Sequence, residues 1–186
     1  MSEFARQLTL NQELANLPDN VVGEILNGEL VVSPRPAALH ALAASVLGSE
    51  LGGPFHRGKH GPGGWVILDE PELHLLDDVV VPDMASWRRE RMPELPEVAA
   101  FTLAPDWVCE VLSPSTEGID RAIKMPLFAR EKIAYVWLVG CLSQTIETYQ
   151  SDGSSYRLLH THHGSDAARL IPFDAIELDI AGLWQR

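Results

Sequence analysis

The sequence has little cysteine and no zinc-ligand spacing. Its two cysteines, Cys109 and Cys141, each lie inside an apolar run. Cysteines in such surroundings are typical of small buried hydrophobic residues rather than of a disulfide or a metal-binding pair. The sequence therefore predicts neither a disulfide framework nor a structural zinc site.

A long hydrophobic run is also missing. No stretch approaches the ~20 apolar residues that a membrane-spanning helix needs. The start, Met1–Phe4, lacks the basic residues and apolar run of a secretory signal. We therefore expect a cytoplasmic protein without a membrane association. The 186 residues, 46% of them hydrophobic, fit one domain over residues 1–186.

Basic residues are scarce, with 14 Lys and Arg against 26 Asp and Glu and a net charge of −12. A protein that binds nucleic acid usually shows a basic footprint. Two alternatives stay open: a local basic patch on an otherwise acidic molecule, or no nucleic-acid binding at all. The candidates for such a patch are the glycine-rich loop His56–Gly64 and the run Arg88–Arg91. A solvated surface loop is the alternative for both.

Turn residues and hydrophobic periodicity predict an α/β chain in which strands outnumber helices. Asn27-Gly28 between two apolar runs predicts a β-hairpin with a type I′ turn. Apolar residues at helical spacing predict a helix over Ala37–Leu51. The other predicted elements are a helix capped by Thr9, strands at Trp65–Leu68, Glu72–Leu76, Val79–Trp87, Asp106–Leu112 and Tyr135–Val139, a helix at Ile119–Glu131, a hairpin of Thr145–Tyr149 with Tyr156–His160, and a last strand at Ala175–Leu178.

Two carboxylates stand in unusually apolar company. Asp83 follows Val79–Pro82, and Glu110 lies inside the apolar run Asp106–Leu112. A buried carboxylate costs several kcal/mol unless something pairs with it, and two on neighbouring strands would repel each other. A divalent cation between them resolves both problems, because magnesium prefers hard oxygen ligands. Strand ends open to solvent are the alternative for each residue alone.

These residues belong to a longer set of motifs that resembles a known family. The motifs are Glu24-Ile25-Leu26-Asn27-Gly28-Glu29-Leu30-Val31, Val81-Pro82-Asp83, Glu110-Val111-Leu112-Ser113-Pro114-Ser115-Thr116, Asp120-Arg121 with Lys124, and Tyr135-Val136-Trp137-Leu138-Val139. Together they resemble the bacterial Uma2 family and, more broadly, the PD-(D/E)XK nucleases. The resemblance implies a restriction-endonuclease-like α/β core with a central mixed β-sheet flanked by helices and an N-terminal β-hairpin.

The resemblance also implies a function and a set of site residues. It implies a metal-dependent endonuclease that hydrolyses phosphodiester bonds in DNA, with Mg²⁺ as cofactor and Mn²⁺ as a substitute. Asp83 and Glu110 would be metal ligands, and the backbone carbonyl of Val111 would add a third. Glu29 would match the upstream acidic residue of such sites. Glu24 is the second candidate for that role, and an exposed hairpin carboxylate is its alternative.

One position departs from the nuclease pattern. Leu112 stands where the lysine of the Glu-X-Lys triplet would be. Lys124, on the following helix, matches a relocated lysine that would orient water or neutralise phosphate as a compact charge. The alternative is a solvated helix lysine in an i,i+4 pair with Asp120. His40, on the first long helix, would contact phosphate or the metal shell, or be structural.

Cutting both strands of a duplex with one site per chain favours a two-fold homodimer. The apolar tail Leu178–Trp184 and the loop Arg88–Pro105 are the candidate contact surfaces. A catalytically inactive module that keeps the fold for binding or assembly is the rival function. The missing triplet lysine and the net charge of −12 favour that rival, and the retained carboxylates with Lys124 favour the enzyme.

Overall fold

The computed structural model describes residues 3–164 and 167–185. Its helices are α1 (Glu3–Ala15), α2 (Ala38–Leu51), α3 (Glu117–Ile119) and α4 (Met125–Arg130). Its strands are β1 (Val21–Leu26), β2 (Glu29–Pro34), β3 (Trp65–Asp69), β4 (Leu73–Leu75), β5 (Asp78–Val80), β6 (Met84–Arg88), β7 (Trp107–Leu112), β8 (Tyr135–Gly140), β9 (Thr145–Ser151), β10 (Tyr156–His163), β11 (Ala167–Ala168) and β12 (Leu178–Asp179). A π-helical turn extends α2 over Gly52–His56, a second joins α3 to α4 over Asp120–Lys124, and a 3-10 helix covers Ile180–Leu183.

A six-stranded mixed sheet forms the centre of the molecule, in the order β10-β9-β8-β7-β6-β3. Strands β7 and β8 are parallel, and the other neighbouring pairs are antiparallel. The hairpin β1–β2 belongs to a second sheet, in the order β2-β1-β5-β4, and β11 pairs with β12. The predicted α/β class, with a central mixed sheet and an N-terminal hairpin, is confirmed.

Helices cover both faces of the large sheet. Helix α2 contributes Leu47 to the hydrophobic cluster that contains Trp107 on one face. Helix α4 contributes Phe128 to the cluster that contains Val108 on the other face. Because consecutive residues of β7 enter different cores, this strand is apolar almost throughout, as expected of a strand buried on both faces.

The predicted hairpin turn is confirmed. Leu26 pairs with Glu29, so that Asn27 and Gly28 are the two central residues of the turn. Asn27 has φ 52° and Gly28 has φ 75°, which are the two positive values that a type I′ turn requires. The turn fixes the register of β1 against β2 and therefore the positions of the acidic residues on both strands.

The prediction of one strand over Val79–Trp87 is wrong. The segment divides into β5, which pairs with β1 and β4, and β6, which pairs with β3 and β7. Pro82 lies at the division, and it has no N–H with which to continue a ladder. The break leaves Asp83 directly ahead of β6, in the link between the two sheets.

The first helix begins earlier than predicted. Helix α1 starts at Glu3, and Thr9 lies in its interior, where its hydroxyl donates to the carbonyl of Ala5. The prediction of Thr9 as an N-cap is therefore wrong, since a hydroxyl inside a helix can bond back to the preceding turn instead.

Within the described ranges, no helix is both long and apolar enough to cross a membrane.

The predicted helix over Ile119–Glu131 is present but interrupted. A π-turn over Asp120–Lys124 separates α3 from α4, and Met125 N–H donates to the carbonyl of Asp120. Pro126 explains the interruption, because it has no N–H and its ring would clash with the carbonyl four residues earlier in a regular helix. Since the inserted residue rotates the preceding turn, it changes which face of the segment carries Lys124.

The C-terminal segment is packed inside the molecule. Leu178, Ile180 and Leu183 are buried in the cluster under α2. The prediction of this tail as a contact surface is therefore wrong for its large apolar residues, which complete the protein's own core. The last strand lies at Leu178–Asp179 rather than at Ala175–Leu178.

Candidate active site

A pocket of about 250 Å³ lies where the hairpin, the link ahead of β6 and the end of β7 meet. The start of α2 and the π-turn after α3 close its remaining sides. The charged residues that line it are Glu24, Arg35, His40, Glu70, Asp83, Glu110, Asp120 and Lys124. Six segments of the chain thus bring five carboxylates and one buried lysine into one concave site.

Asp83 and Glu110 share this pocket. Met84 pairs with Cys109 in the antiparallel ladder of β6 and β7. One further step of the same register places Asp83 opposite Glu110, and opposite residues in such a ladder point to the same face. The structure therefore brings together the two carboxylates that the sequence singled out.

The Asp83 carboxylate is held in a fixed orientation. Its Oδ2 accepts a hydrogen bond of 2.6 Å from the backbone N–H of Val111. Its Oδ1 lies 2.6 Å from Nε2 of His40 at the start of α2. A residue in a strand points its N–H and its C=O to the same side. The carbonyl of Val111 therefore faces the side on which Asp83 lies, but Val111 is not among the residues that line the pocket.

Lys124 is buried in the middle of a carboxylate cluster. It is only 5% exposed. Its Nζ lies 2.9 Å from Oε1 of Glu24, 3.2 Å from Oε1 of Glu110 and 3.5 Å from Oδ1 of Asp120. The contact with Asp120 is the expected i,i+4 pair, but it is enclosed rather than solvated. Lys124 thus reaches the pocket from the helix, although Leu112 leaves β7 without a lysine.

The cluster shifts the titration of its members in directions that follow from burial and charge. Burial raises the pKa of Glu110 well above its ordinary value, and Lys124 only partly opposes this. Burial also raises the pKa of Asp120, again against the attraction of Lys124. For Lys124, burial alone would lower the pKa, but the attraction of Glu110, Glu24 and Asp120 outweighs it and leaves the pKa raised. Lys124 is therefore a fixed positive charge and not a base.

The structure separates the two acidic candidates of the hairpin. Glu24 is buried, its Oε1 accepts a hydrogen bond of 2.8 Å from Val81 N–H, and it lines the pocket. Glu29 is exposed beside the hairpin turn and does not line the pocket. The antiparallel pairing explains the difference, because Glu29 lies opposite Leu26 and so about two residues closer to the turn than Glu24. The pocket position expected of Glu29 is taken by Glu24.

Two charged residues that line the pocket were not predicted from the sequence. Arg35 and Glu70 form an ion pair of 3.4 Å at the pocket mouth, with side chains 52% and 44% exposed. Arg35 lies in the Ser33–Pro36 segment, whose prolines indicate only the end of a strand. Neither residue has a spacing that marks it for the site, so the sequence holds no signal for this pair.

The donor set suits a magnesium-type ion with retained water. Oε1 of Glu110 accepts a hydrogen bond of 3.2 Å from Lys124 Nζ. Across residues 3–164 and 167–185, no three His, Cys, Asp or Glu side chains converge into a ready metal cage. Mg²⁺ often binds through only one or two carboxylates and keeps several waters. Asp83 and Glu110 are hard oxygen donors of the kind that such an ion takes.

Comparisons with known proteins show the family and the fold of the chain. Residues 10–181 match the model of the Uma2 family, whose description is "Putative restriction endonuclease". The chain is also similar to the crystal structure of "a putative nuclease belonging to DUF820" from Anabaena variabilis ATCC 29413. That likeness has a TM-score of 0.72 at 21% sequence identity and covers 94% of this chain and 96% of the other. At this identity it shows a common fold. None of the curated proteins compared with the chain matches it.

Proposed function

Because the chain belongs to the Uma2 family of restriction-endonuclease-like proteins, we propose that it is a metal-dependent nuclease that hydrolyses phosphodiester bonds in DNA. The observation that carries the proposal is that the half-buried Asp83 shares one pocket with the buried Glu110, Glu24 and Lys124. Such a group is costly to bury, and a structural role alone gives no reason to aim it into a pocket. The finer parts of the proposal are Mg²⁺ or Mn²⁺ as cofactor and a cytoplasmic homodimer.

Each residue of the pocket has a physical role in this proposal. Asp83 and Glu110 would hold the ion, with the Val111 carbonyl as a further oxygen ligand. When bound, a magnesium-type ion activates water and offsets the charge that develops at the phosphate. His40 orients Asp83 through their 2.6 Å contact. Lys124 keeps a positive charge beside Glu110, which favours the ionised carboxylate that a metal requires.

Metal binding gives the first test. Mg²⁺ or Mn²⁺ should raise the melting temperature of the wild-type protein, because a ligand of the folded state stabilises it. We expect Asp83→Asn to fold and to lose this shift, since it removes one ligand charge and one half of the acidic repulsion. Differential scanning fluorimetry over a metal titration measures both.

The exposed turn variant Asp77→Asn is the matched control, and it should respond to metal as the wild type does. An Asp83→Asn protein whose metal shift equals that of the wild type would remove Asp83 from the proposed site.

The hairpin offers a matched pair of variants. Glu24→Gln and Glu29→Gln make the same chemical change on the same face of the hairpin. Glu29 lies opposite Leu26, so the two sites differ by two residues in their distance from the turn. We expect Glu24→Gln to slow plasmid nicking by about 10²-fold, because it removes a carboxylate that holds both Lys124 and the Val81 backbone. Glu29→Gln should cut as the wild type does, since its carboxylate lies outside the pocket. If Glu29→Gln nicked plasmid more slowly than Glu24→Gln, Glu29 and not Glu24 would be the upstream acidic residue of the site.

A non-catalytic binding or assembly module is the second candidate. The net charge of −12 favours it, and so does the engagement of Lys124 by three carboxylates. A protein that binds metal at Asp83 but leaves plasmid, linear and single-stranded DNA intact with Mg²⁺ and Mn²⁺ would be such a module.

The proposed homodimer retains one candidate surface. The loop between β6 and β7 exposes Leu95 and Val98 by 54% and 53%. Exposed apolar residues that lie close together are typical of contact surfaces. Two copies related by a two-fold axis would present one pocket to each strand of a duplex.

A further inference from the structure

Basic residues are concentrated in two short segments of this acidic chain. Five of the 14 Lys and Arg residues lie at Arg57, Lys59, Arg88, Arg89 and Arg91. The first two belong to the glycine-rich loop ahead of β3, and the others end β6 or follow it. The two segments are about 30 residues apart in the sequence, so their proximity depends on the fold.

The structure joins the two segments at one corner of the large sheet. Trp65 pairs with Arg88 across β3 and β6. Just beyond that pair, Arg89 N–H donates to the carbonyl of Gly64 at 2.9 Å. The loop is folded back on itself, because a Cβ at Gly58 would lie 3.7 Å from the Cα of Gly63. The two basic segments therefore lie side by side at one corner of the large sheet.

Three of the five cations have neither an acidic nor an aromatic partner among the residues that the structure describes. Arg91 forms an ion pair of 2.8 Å with Asp106, and Arg88 stacks on Trp65 at 4.5 Å. Arg57, Lys59 and Arg89 are exposed and make no ion pair with any residue in the described ranges. We call these three residues the basic patch.

A neighbouring histidine reports the local charge. His56 precedes Arg57, and its Nδ1 accepts the N–H of Ile67 on β3. Burial lowers the pKa of His56, and the positive charges of Arg89 and Arg57 lower it further. Both arginines therefore lie close enough to His56 to act on its ring. This supports a positive potential at this corner of a molecule with net charge −12.

The basic patch lies at a fixed distance from the pocket. Asp83 directly precedes β6 and Arg89 of the patch directly follows it, so the two residues are six positions, or about 20 Å, apart along the strand. A DNA strand advances about 3.4 Å of helix axis per nucleotide and also winds around that axis, so this distance corresponds to several nucleotides.

A surface route connects the pocket with the patch. Glu70 lines the pocket, and Asp69, its neighbour, lines a second depression that also contains Arg57. Its lining includes three small residues of α2 and its extension, Gly48, Ser49 and Gly52. Small side chains leave room for a bulky polymer between the two sites.

We propose that Arg57, Lys59 and Arg89 bind backbone phosphates of the nucleic acid several nucleotides from the bond that is cut. The proposal rests on the proposed function, since it takes nucleic acid as the substrate. The pocket itself repels phosphates because its carboxylates outnumber its cations. Binding affinity must therefore come from outside the pocket, and contacts to phosphates are independent of base sequence.

The salt dependence of DNA binding tests the patch. Binding of a short labelled duplex is followed by fluorescence anisotropy in EDTA, between about 50 and 200 mM salt. Each lost phosphate contact makes the slope of log K against log salt shallower by about one. We expect Lys59→Gln/Arg89→Gln to make the slope shallower by about two. Binding should also be weaker than in the wild type at every salt concentration.

Lys132→Gln/Arg157→Gln is the matched control. It makes the same change in net charge at two exposed residues away from the patch, and its slope should equal that of the wild type. An equal loss in both variants, an unchanged slope in the patch variant, or no duplex binding by the wild type would overturn the patch. Arg57→Gln, which changes the slope by about one, repeats the test if the double variant does not fold.

Hydrolysis of bis(p-nitrophenyl) phosphate with Mn²⁺ separates this proposal from the proposed function. The small diester cannot span both sites, so the patch variants should hydrolyse it at the wild-type rate. A wild type that shows the salt slopes but hydrolyses no diester or DNA would end the nuclease function and keep the patch. If the wild type hydrolyses the diester but the patch variants have the same salt slope as the wild type, only the proposed phosphate binding by the patch would be refuted.

Discussion

The Glu110→Gln protein is expected to nick plasmid DNA at least about 10³-fold more slowly than the wild type at saturating Mg²⁺. A metal ion contributes several kcal/mol of transition-state stabilisation, and each 1.36 kcal/mol is a factor of ten. The amide keeps the size of the glutamate and can still accept a bond from Lys124. It removes only the charge that would bind the ion. Single-turnover nicking kinetics measure the loss.

Glu117→Gln is the control for this change. Glu117 lies seven residues further along the chain, where it pairs with Arg121 at the surface and is 48% exposed. Its replacement should alter the rate by less than about twofold, because exposed ion pairs contribute at most about 1 kcal/mol and this one lies outside the pocket. Equal rates in the wild type and in Glu110→Gln would remove Glu110 from catalysis.

The carboxylates were predictable because their sequence surroundings contradict their charge. Glu110 lies in a run that is apolar enough for a central strand, and the structure buries both neighbours, Cys109 and Val111. A charge kept in such a place needs a partner, and this argument holds without coordinates. The hairpin was predictable for a local reason, since Asn27-Gly28 fits few other conformations.

The break at Pro82 could not be placed from local pattern alone. A proline can also occupy an edge strand, so the run over Val79–Trp87 was consistent with one continuous strand. Tertiary pairing decided the matter, because β5 is taken up by β1 and β4 while β6 joins β7. The link between them is what sets Asp83 opposite Glu110.

The alternation of side chains along a strand could not decide between Glu24 and Glu29. The register Leu26↔Glu29 and Glu24↔Val31 places both glutamates on the same face of the hairpin. Only their distance from the turn differs, by about 7 Å at about 3.4 Å per residue. Which of them meets Lys124 depends on how the hairpin packs on the helical segment, and no local signal encodes that packing.

Replacement of Lys124 by methionine is expected to lower the free energy of unfolding by about 3–5 kcal/mol at neutral pH. Lys124 is 5% exposed, and three carboxylates lie within 3.5 Å of its Nζ. Methionine conserves the length and apolar stem of lysine, so packing changes little. The loss would therefore arise from buried negative charge without a counter-charge. A solvated helix lysine would show no such effect.

The loss of unfolding free energy in Lys124→Met should depend on pH, and the direction of this dependence follows from the pKa shifts of the neighbouring carboxyl groups. Glu110 and Asp120 already have a raised pKa in the folded protein, so the folded state binds their protons more tightly than the unfolded chain does. Stability from this source is present at low pH and disappears as pH rises through the folded pKa. Without Lys124 the pKa of each carboxyl rises further. Lys124→Met should therefore be more destabilising at pH 8 than at pH 5.

Urea unfolding followed by tryptophan fluorescence at both pH values measures the effect. In the double variant Lys124→Met/Glu24→Gln, one of the unpaired charges is gone, so its loss should be smaller than that of Lys124→Met alone. The exposed-lysine control Lys132→Met should stay within about 0.5 kcal/mol of the wild type at both pH values. Mg²⁺ should restore more stability to Lys124→Met than to the wild type, because a divalent cation replaces the missing charge among the same carboxylates. A loss below about 1 kcal/mol that is equal at the two pH values would show that the cluster does not depend on Lys124 for its charge balance.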